Sequence, residues 1–254
     1  MLMMDKHVYN RLRDIIRDRV GIDISYYSTS FIARRIEFRM NICNIRDYTD
    51  YLRLLEYTDE IKEFVANLSI NVTEFFRDPD VFDRFKELLK GYSNARIWSV
   101  GCASGEEPYT IAIIAKDNGV RCSILASDIS KNAIEYAKKG LYQSKSVRNV
   151  PKDILARYFT LTGDGYAVRS DVKDMVTFEV RDVTRCINTG PFDFIFCRNM
   201  LIYMNDVSKA TIINNICNAM KPNSYLILGK SEYIHNCSML SCIDTKTKIY
   251  IKKI

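Results

Sequence analysis

The sequence has two histidines, no CxxC pair, no long apolar run and no P-loop, and each absence removes a class of function. With only His7 and His235 among 254 residues, a zinc site would rest almost wholly on scattered thiols. The eight cysteines (43, 102, 122, 186, 197, 217, 237 and 242) show no disulfide-like rhythm, so reduced, mostly buried thiols in a reducing compartment are expected, and no metal. No apolar stretch approaches the roughly 18 residues that would span a bilayer. Met1–Asn10 carries charges where a signal peptide has its apolar core. The expectation is a cytoplasmic protein without direct membrane insertion. Repeats and low-complexity tracts are also absent.

What is present is a globular balance of residues with uneven charge. Residues 1–46 hold nine Lys/Arg against five Asp/Glu, residues 47–90 six against eleven, and residues 91–254 twenty-two against fifteen. A mild basic excess is a weak signal for nucleic acid, which is not expected as a partner. An acidic protein partner explains the N-terminal excess equally well.

Two regimes follow one another. Residues 1–90 read as successive helices: Val8, Leu12, Ile15 and Ile16 share one face, and Gly21 follows the helix end. Ser28 caps a second helix with Phe31, Ile32 and Ile36 inward. Tyr48, Tyr51, Leu52 and Leu55 predict a third, Ile61, Phe64, Val65 and Leu68 a fourth, and Asp78-Pro79 opens a fifth. From Arg96 strands and helices alternate. Strands are expected at 96–100, 123–127, 175–180, 192–197, 225–228 and 248–252, with helices at 107–116, 131–138 and 207–220. Such alternation predicts a mostly parallel α/β sheet covered by helices. Thr162-Gly163-Asp164-Gly165 is a turn signal inside an inserted hairpin.

In open α/β sheets the chemistry lies at the C-terminal ends of the strands. The first strand ends in Gly101-Cys102-Ala103-Ser104-Gly105-Glu106-Glu107. Gly101 and Gly105 allow a tight turn, but the loop lacks a third glycine and the Lys-Ser/Thr of a P-loop, which argues against phosphate. Glu106 and Glu107 complement the helix dipole and would repel a pyrophosphate. They suit a cation such as the ammonium or sulfonium of S-adenosylmethionine. A dipole-satisfying helix start explains them as well. Asp128 ends the second strand, where an acid commonly binds ribose hydroxyls; its plainer role is to begin the turn before Ser130.

Asn71-Val72-Thr73-Glu74-Phe75-Phe76-Arg77 resembles the N-x-T-x-F-F-R signature of CheR-type chemotaxis receptor methyltransferases. The loop with Glu106-Glu107-Pro108-Tyr109 resembles their G-E-E-P-Y-S, here ending in Thr110. Phe196-Cys197-Arg198-Asn199-Met200-Leu201-Ile202-Tyr203 resembles F-C-R-N-x-x-I-Y, and Gly229-Lys230-Ser231-Glu232 resembles G-x-S-E. Four motifs in family order cover most of the chain. The resemblance implies a Rossmann-like methyltransferase domain at 96–254, with a small antiparallel β insertion at about 158–180. An all-α domain at 1–75 and a linker helix at 76–95 would precede it. It further implies S-adenosylmethionine as cofactor, S-adenosylhomocysteine as product, and glutamates on the cytoplasmic helices of methyl-accepting receptors as substrate, with the chain acting as a monomer. By resemblance, Asn71, Thr73 and Arg77 approach the cofactor, Glu107 takes its amino or ribose end, and Asp128 takes the ribose. Asp182 and Val183 flank the adenine, where the family usually has Asn-Leu. Arg198 and Asn199 line the pocket, and Arg77 and Tyr203 face the reacting centre.

The reaction suits this set. A glutamate, with a pKa of about 4.3, is already ionised at neutral pH, so the shortage of histidine is no obstacle. If 73–77 is helical, Thr73 and Arg77 share a face. Arg34, Arg35 and Arg39 on the second helix form a candidate dock for an acidic receptor helix, the alternative being a solvated charged face. Two other functions remain open at this level: a non-catalytic cofactor-binding module docking on a signalling array, and a small-molecule methyltransferase.

Overall fold

A computed structural model describes residues 4–68, 73–185, 188–234 and 237–253. By its contacts the chain forms two compact units: residues 1–70 with 203–211, and residues 71–202 with 212–254.

The first unit is helical because its boundaries are written in capping residues and its interior in spacing. α1 (Lys6–Val20) starts at Asp5, whose carboxylate accepts from the Val8 amide, and ends at the left-handed Gly21. α2 (Thr29–Ile42) is capped by Ser28 and α3 (Tyr48–Tyr57) by Asp47; α4 is Glu60–Leu68. Leu12, Ile16, Phe31, Ile32, Ile36, Tyr51, Leu55 and Phe64 meet in one buried cluster. Each such side chain contributes roughly 1.5–3 kcal/mol on leaving water.

The second unit is built on a seven-stranded sheet of order β6-β2-β1-β7-β8-β10-β9. Its parallel part comprises β1 (Asn94–Val100), β2 (Arg121–Asp128), β6 (Val176–Val180), β7 (Phe192–Cys197) and β8 (Met220–Leu228). β10 (Ile249–Lys252) and β9 (Leu240–Asp244) complete it antiparallel. β7 is buried along its whole length, as a strand covered on both faces must be, and its one charged residue, Asp193, is paired with Lys221 at 2.8 Å.

α5 (Pro79–Leu89) turns Val81, Phe82, Phe85 and Leu89 into this core, and Phe85 sits edge-on to Phe194 and Phe196 at 5.2 and 5.1 Å. A helix buried in this way is part of the second unit rather than a free linker. α6 (Glu106–Asp117) and α7 (Lys131–Lys139) follow β1 and β2. α10 runs Asp206–Asn218, starting one residue before the expected helix and ending two residues short of its expected end, because the chain has already entered β8 at Met220.

The inserted sheet is three-stranded, with β5 (Gly165–Val168) between β3 (Leu141–Tyr142) and β4 (Phe159–Thr162). It therefore recruits 141–142, which carries no alternation to announce it, while 176–180 belongs to the main sheet. α8 (Lys152–Tyr158) and α9 (Ser170–Lys173) flank it. Among the described residues no helix is long and apolar enough to cross a membrane.

Candidate active site

Strand order reverses at β1 and β7: the chain moves from β1 outward to β2 and β6, then returns to the other side of β1 as β7. Such a switch point leaves a crevice at the strand tips, where the glycine loop, Asp128 and Arg198 lie.

The loop after β1 is a tight turn, with positive φ at Gly101 (68°), Ala103 (46°) and Gly105 (93°). Position 105 must be glycine for a second reason: a Cβ there would lie 2.7 Å from Ala137 Cβ and 2.9 Å from the Tyr142 hydroxyl. Asp128 pins the turn from the tip of β2. One carboxylate oxygen accepts from the Ala103 amide at 2.9 Å and the other from the Ser130 amide at 2.8 Å. Burial pushes its carboxyl up, and these backbone bonds oppose the shift. Asp128 thus begins the turn before α7 and also pins the glycine loop.

Arg198, at the tip of β7, organises the charges. Its side chain is 2% exposed. One Nη donates to Asp78 at 2.6 Å and to the Arg77 carbonyl at 2.9 Å, and the other to Glu107 at 3.2 Å. The guanidinium lies over the Phe82 ring, 5.2 Å from its centroid. Its buried Nε finds no hydrogen-bond partner among the described residues. Ser99 donates to the second oxygen of Glu107 at 2.8 Å. Asp78 holds φ 61° and makes no side-chain cap for α5; its carboxylate is committed to Arg198 instead.

A second buried acid fixes the neighbouring strand tips. Glu232, 3% exposed, accepts from the amides of Gly229 and Asn199, each at 2.8 Å, and of Ile202 at 3.2 Å. Asn199 is held at φ 58°. Burial raises the Glu232 carboxyl, against the pull of these backbone bonds.

Residues 73–78 are not helical. Phe76 takes φ 55° and Asp78 φ 61°, so the helical face that Thr73 and Arg77 would have shared does not exist. The segment reaches the site as an irregular strap because its backbone partners lie on other elements: the Phe76 amide donates to Thr110 Oγ at 3.2 Å and the Phe75 amide to the Ser146 carbonyl at 3.3 Å. Thr73 lines a cleft of about 500 Å³ with Glu74, Ser104, Glu106, Asn132, Tyr136 and others.

Glu106 in that cleft is 2% exposed and accepts from Ser104 Oγ at 2.7 Å. Burial pushes its carboxyl from 4.5 up to about 7, against the pull of that hydroxyl. An acid whose folded pKa lies above its unfolded value keeps its proton longer when folded. Its contribution to stability therefore falls as pH rises from about 4.5 to about 7, and the penalty is complete above that window. Glu106→Gln is expected to flatten the stability profile between about pH 5 and pH 7, read as urea midpoints. Parallel profiles for the two proteins would refute it.

The other expected site residues divide. Asp182 lies just beyond β6, but one of its oxygens accepts from the Thr184 amide and hydroxyl at 2.9 and 2.6 Å. Val183 is buried, and its carbonyl accepts from the Asn215 side chain at 2.9 Å. Tyr203 belongs by contact to the helical unit: its ring lies 4.9 Å from that of Phe31, tilted by 40°, and its carbonyl accepts from the Ser28 amide at 2.8 Å. Arg39 is tied to Glu60 through two bonds of 2.8 and 2.7 Å, Tyr51 donating to the same carboxylate. Arg35 stacks on Phe31. Arg34 is exposed. Asn71 lies outside the described residues. Sequence reasoning gave no role to Asp78, Ser99 or Glu232; the G-x-S-E motif was the available signal for the last.

Comparison with known proteins gives the family to which the motifs belong. Residues 71–249 match the family model "CheR methyltransferase, SAM binding domain", and residues 7–69 match "CheR methyltransferase, all-alpha domain". A chemotaxis protein methyltransferase of Borreliella burgdorferi is 32% identical over 264 residues, covering 95% of this chain and 93% of the relative. One from Escherichia coli is 31% identical over 247 residues, covering 91% and 86%. A protein of Pseudomonas aeruginosa named probable biofilm formation methyltransferase is 28% identical, with 88% of this chain and 56% of that one covered.

Proposed function

Because the chain belongs to the CheR methyltransferase family, and so is an S-adenosylmethionine-dependent enzyme, we propose that it methylates glutamate side chains on the cytoplasmic helices of methyl-accepting chemotaxis receptors. The products are glutamate methyl esters and S-adenosylhomocysteine. One observation carries the reading: acids and a buried arginine converge on the tips of β1, β2 and β7 around a tight glycine turn. Carboxylates there fit a cationic ligand and repel a phosphate.

S-adenosylmethionine supplies a methyl group on a positively charged sulfur. Glu107 and Asp128 would hold its polar ends, with Arg198 and Ser99 fixing the Glu107 carboxylate in one orientation. Arg77 would align the substrate carboxylate through charge-assisted bonds, and alignment of two reactants is itself a large part of the rate. No general base is required, since the carboxylate arrives ionised. Tyr203 is assigned to the reacting centre by its motif. Asn71, Thr73, Asp182, Val183 and Asn199 complete the proposed cofactor contacts. Arg34, exposed on α2, is the available docking cation of the three arginines, because Arg39 is already neutralised by Glu60. The protein acts in the cytoplasm, as a monomer, and not on nucleic acid.

The test is incubation with methyl-labelled cofactor and receptor cytoplasmic fragments. Base-labile label on receptor glutamates is expected. Binding without turnover would replace the proposal with a non-catalytic docking module, and turnover of small molecules alone would replace it with a different substrate class. Asp128→Ala is expected to weaken S-adenosylhomocysteine binding about tenfold to a hundredfold, the worth of a hydrogen bond to a charged group. Unchanged affinity in calorimetry would refute the ribose assignment.

A further inference from the structure

The strap 73–78 holds two non-glycine residues in left-handed conformations, Phe76 and Asp78. Each costs of order 1–3 kcal/mol and persists only where its surroundings over-determine it. Its downstream end is secured by Arg198, which binds the Arg77 carbonyl and Asp78. Its upstream end is secured by the chain between β3 and α8. Arg148 gives Glu74 two bonds of 3.0 Å and Asn149 a third of 2.6 Å. The Phe75 amide reaches Ser146, and the Phe75 ring stands edge-on to Tyr142 and Phe159 at 4.9 and 5.1 Å.

We infer that Glu74 and Arg148 form a positioning clamp that sets Thr73 and Arg77 for methyl transfer. Arg148 is 67% exposed and Glu74 26%, so solvent screens the pair and its share of global stability is small. Its bidentate geometry, with a third donor from Asn149, nevertheless fixes direction. The consequence is local: it holds the residue between Thr73 and the buried Phe75 to the inserted segment. The β insertion thereby acquires a role inside the catalytic cycle, as the anchor of the strap. This rests on the proposed function only for the activity readout.

The test compares Glu74→Ala, Arg148→Ala and the reciprocal pair Glu74→Arg with Arg148→Glu in the full chain. Each single variant is expected to lower kcat for receptor methylation about tenfold, since small misplacements of reacting groups are costly. The KM for cofactor should rise as kcat falls, because Thr73 is a proposed cofactor contact, while the melting temperature should change little. Hydrogen exchange at the Phe75 and Phe76 amides should quicken about tenfold, and the reciprocal pair should recover most of both effects. Singles that match the parent in kcat and exchange would overturn the clamp, as would losses the reciprocal pair fails to recover. If the parent labels no receptor, that failure counts against the substrate alone, and amide exchange on the isolated protein decides the clamp.

Discussion

Arg77→Ala is expected to lower methyl transfer by roughly 10²–10³-fold, the usual cost of removing one charge-directed donor from a reacting centre, while the protein stays folded. The Arg77 carbonyl accepts from Arg198 whatever side chain stands at 77, so that hold on the strap remains. Phe75 and Phe76 on one side and Val81 and Phe82 on the other remain in the core. Arg77→Lys is expected to recover only part of the rate, since an ammonium cannot offer the planar two-point grip of a guanidinium. Initial rates of receptor labelling, with melting curves and a product titration as controls, check this. A variant within threefold of the parent would remove Arg77 from the mechanism.

Glu232→Gln is the second large effect, and it acts through backbone. One Glu232 oxygen takes the amides of Asn199 and Gly229, and the other that of Ile202. An amide can keep one of these acceptors but turns an N–H against the remaining donor. A buried donor left unpaired costs about 1–3 kcal/mol, and Asn199 loses part of what holds it at positive φ. Stability is expected to fall by about that amount, with product binding weakened because Asn199 and Arg198 move together on the tip of β7. Gly229 shows how closely the acid is fitted: a Cβ there would lie 2.8 Å from the Glu232 carboxylate. Urea unfolding and calorimetry on the same variant check both halves. Full stability and full affinity would mean the carboxylate is incidental.

Much of the molecule was legible beforehand where the signal is local. Ser28 and Ser130 cap helices as their side chains require, because capping involves only the next two or three amides. The largely apolar residues from Phe192 to Cys197 announced a strand. Four ordered motifs identified the family, and with it the fold and the cofactor. Where inference needed a partner distant in sequence, it failed or fell silent. The helix that would have aligned Thr73 with Arg77 is absent because the amides there bond to Ser146 and Thr110. Arg39 looked available for docking until Glu60, twenty-one residues away, closed on it.

The sequence alone therefore determined most of the elements, their apolar faces and, through its motifs, the cofactor, since periodicity, caps and motifs are encoded within a few neighbouring residues. Only tertiary structure decided which charges are spent. Whether Arg198, Asp78, Glu107 and Glu232 meet a ligand or one another depends on strand order, which brings together groups up to about 120 residues apart. A buried charge takes whichever partner that order places beside it, because leaving it unpaired away from water costs more than any local preference.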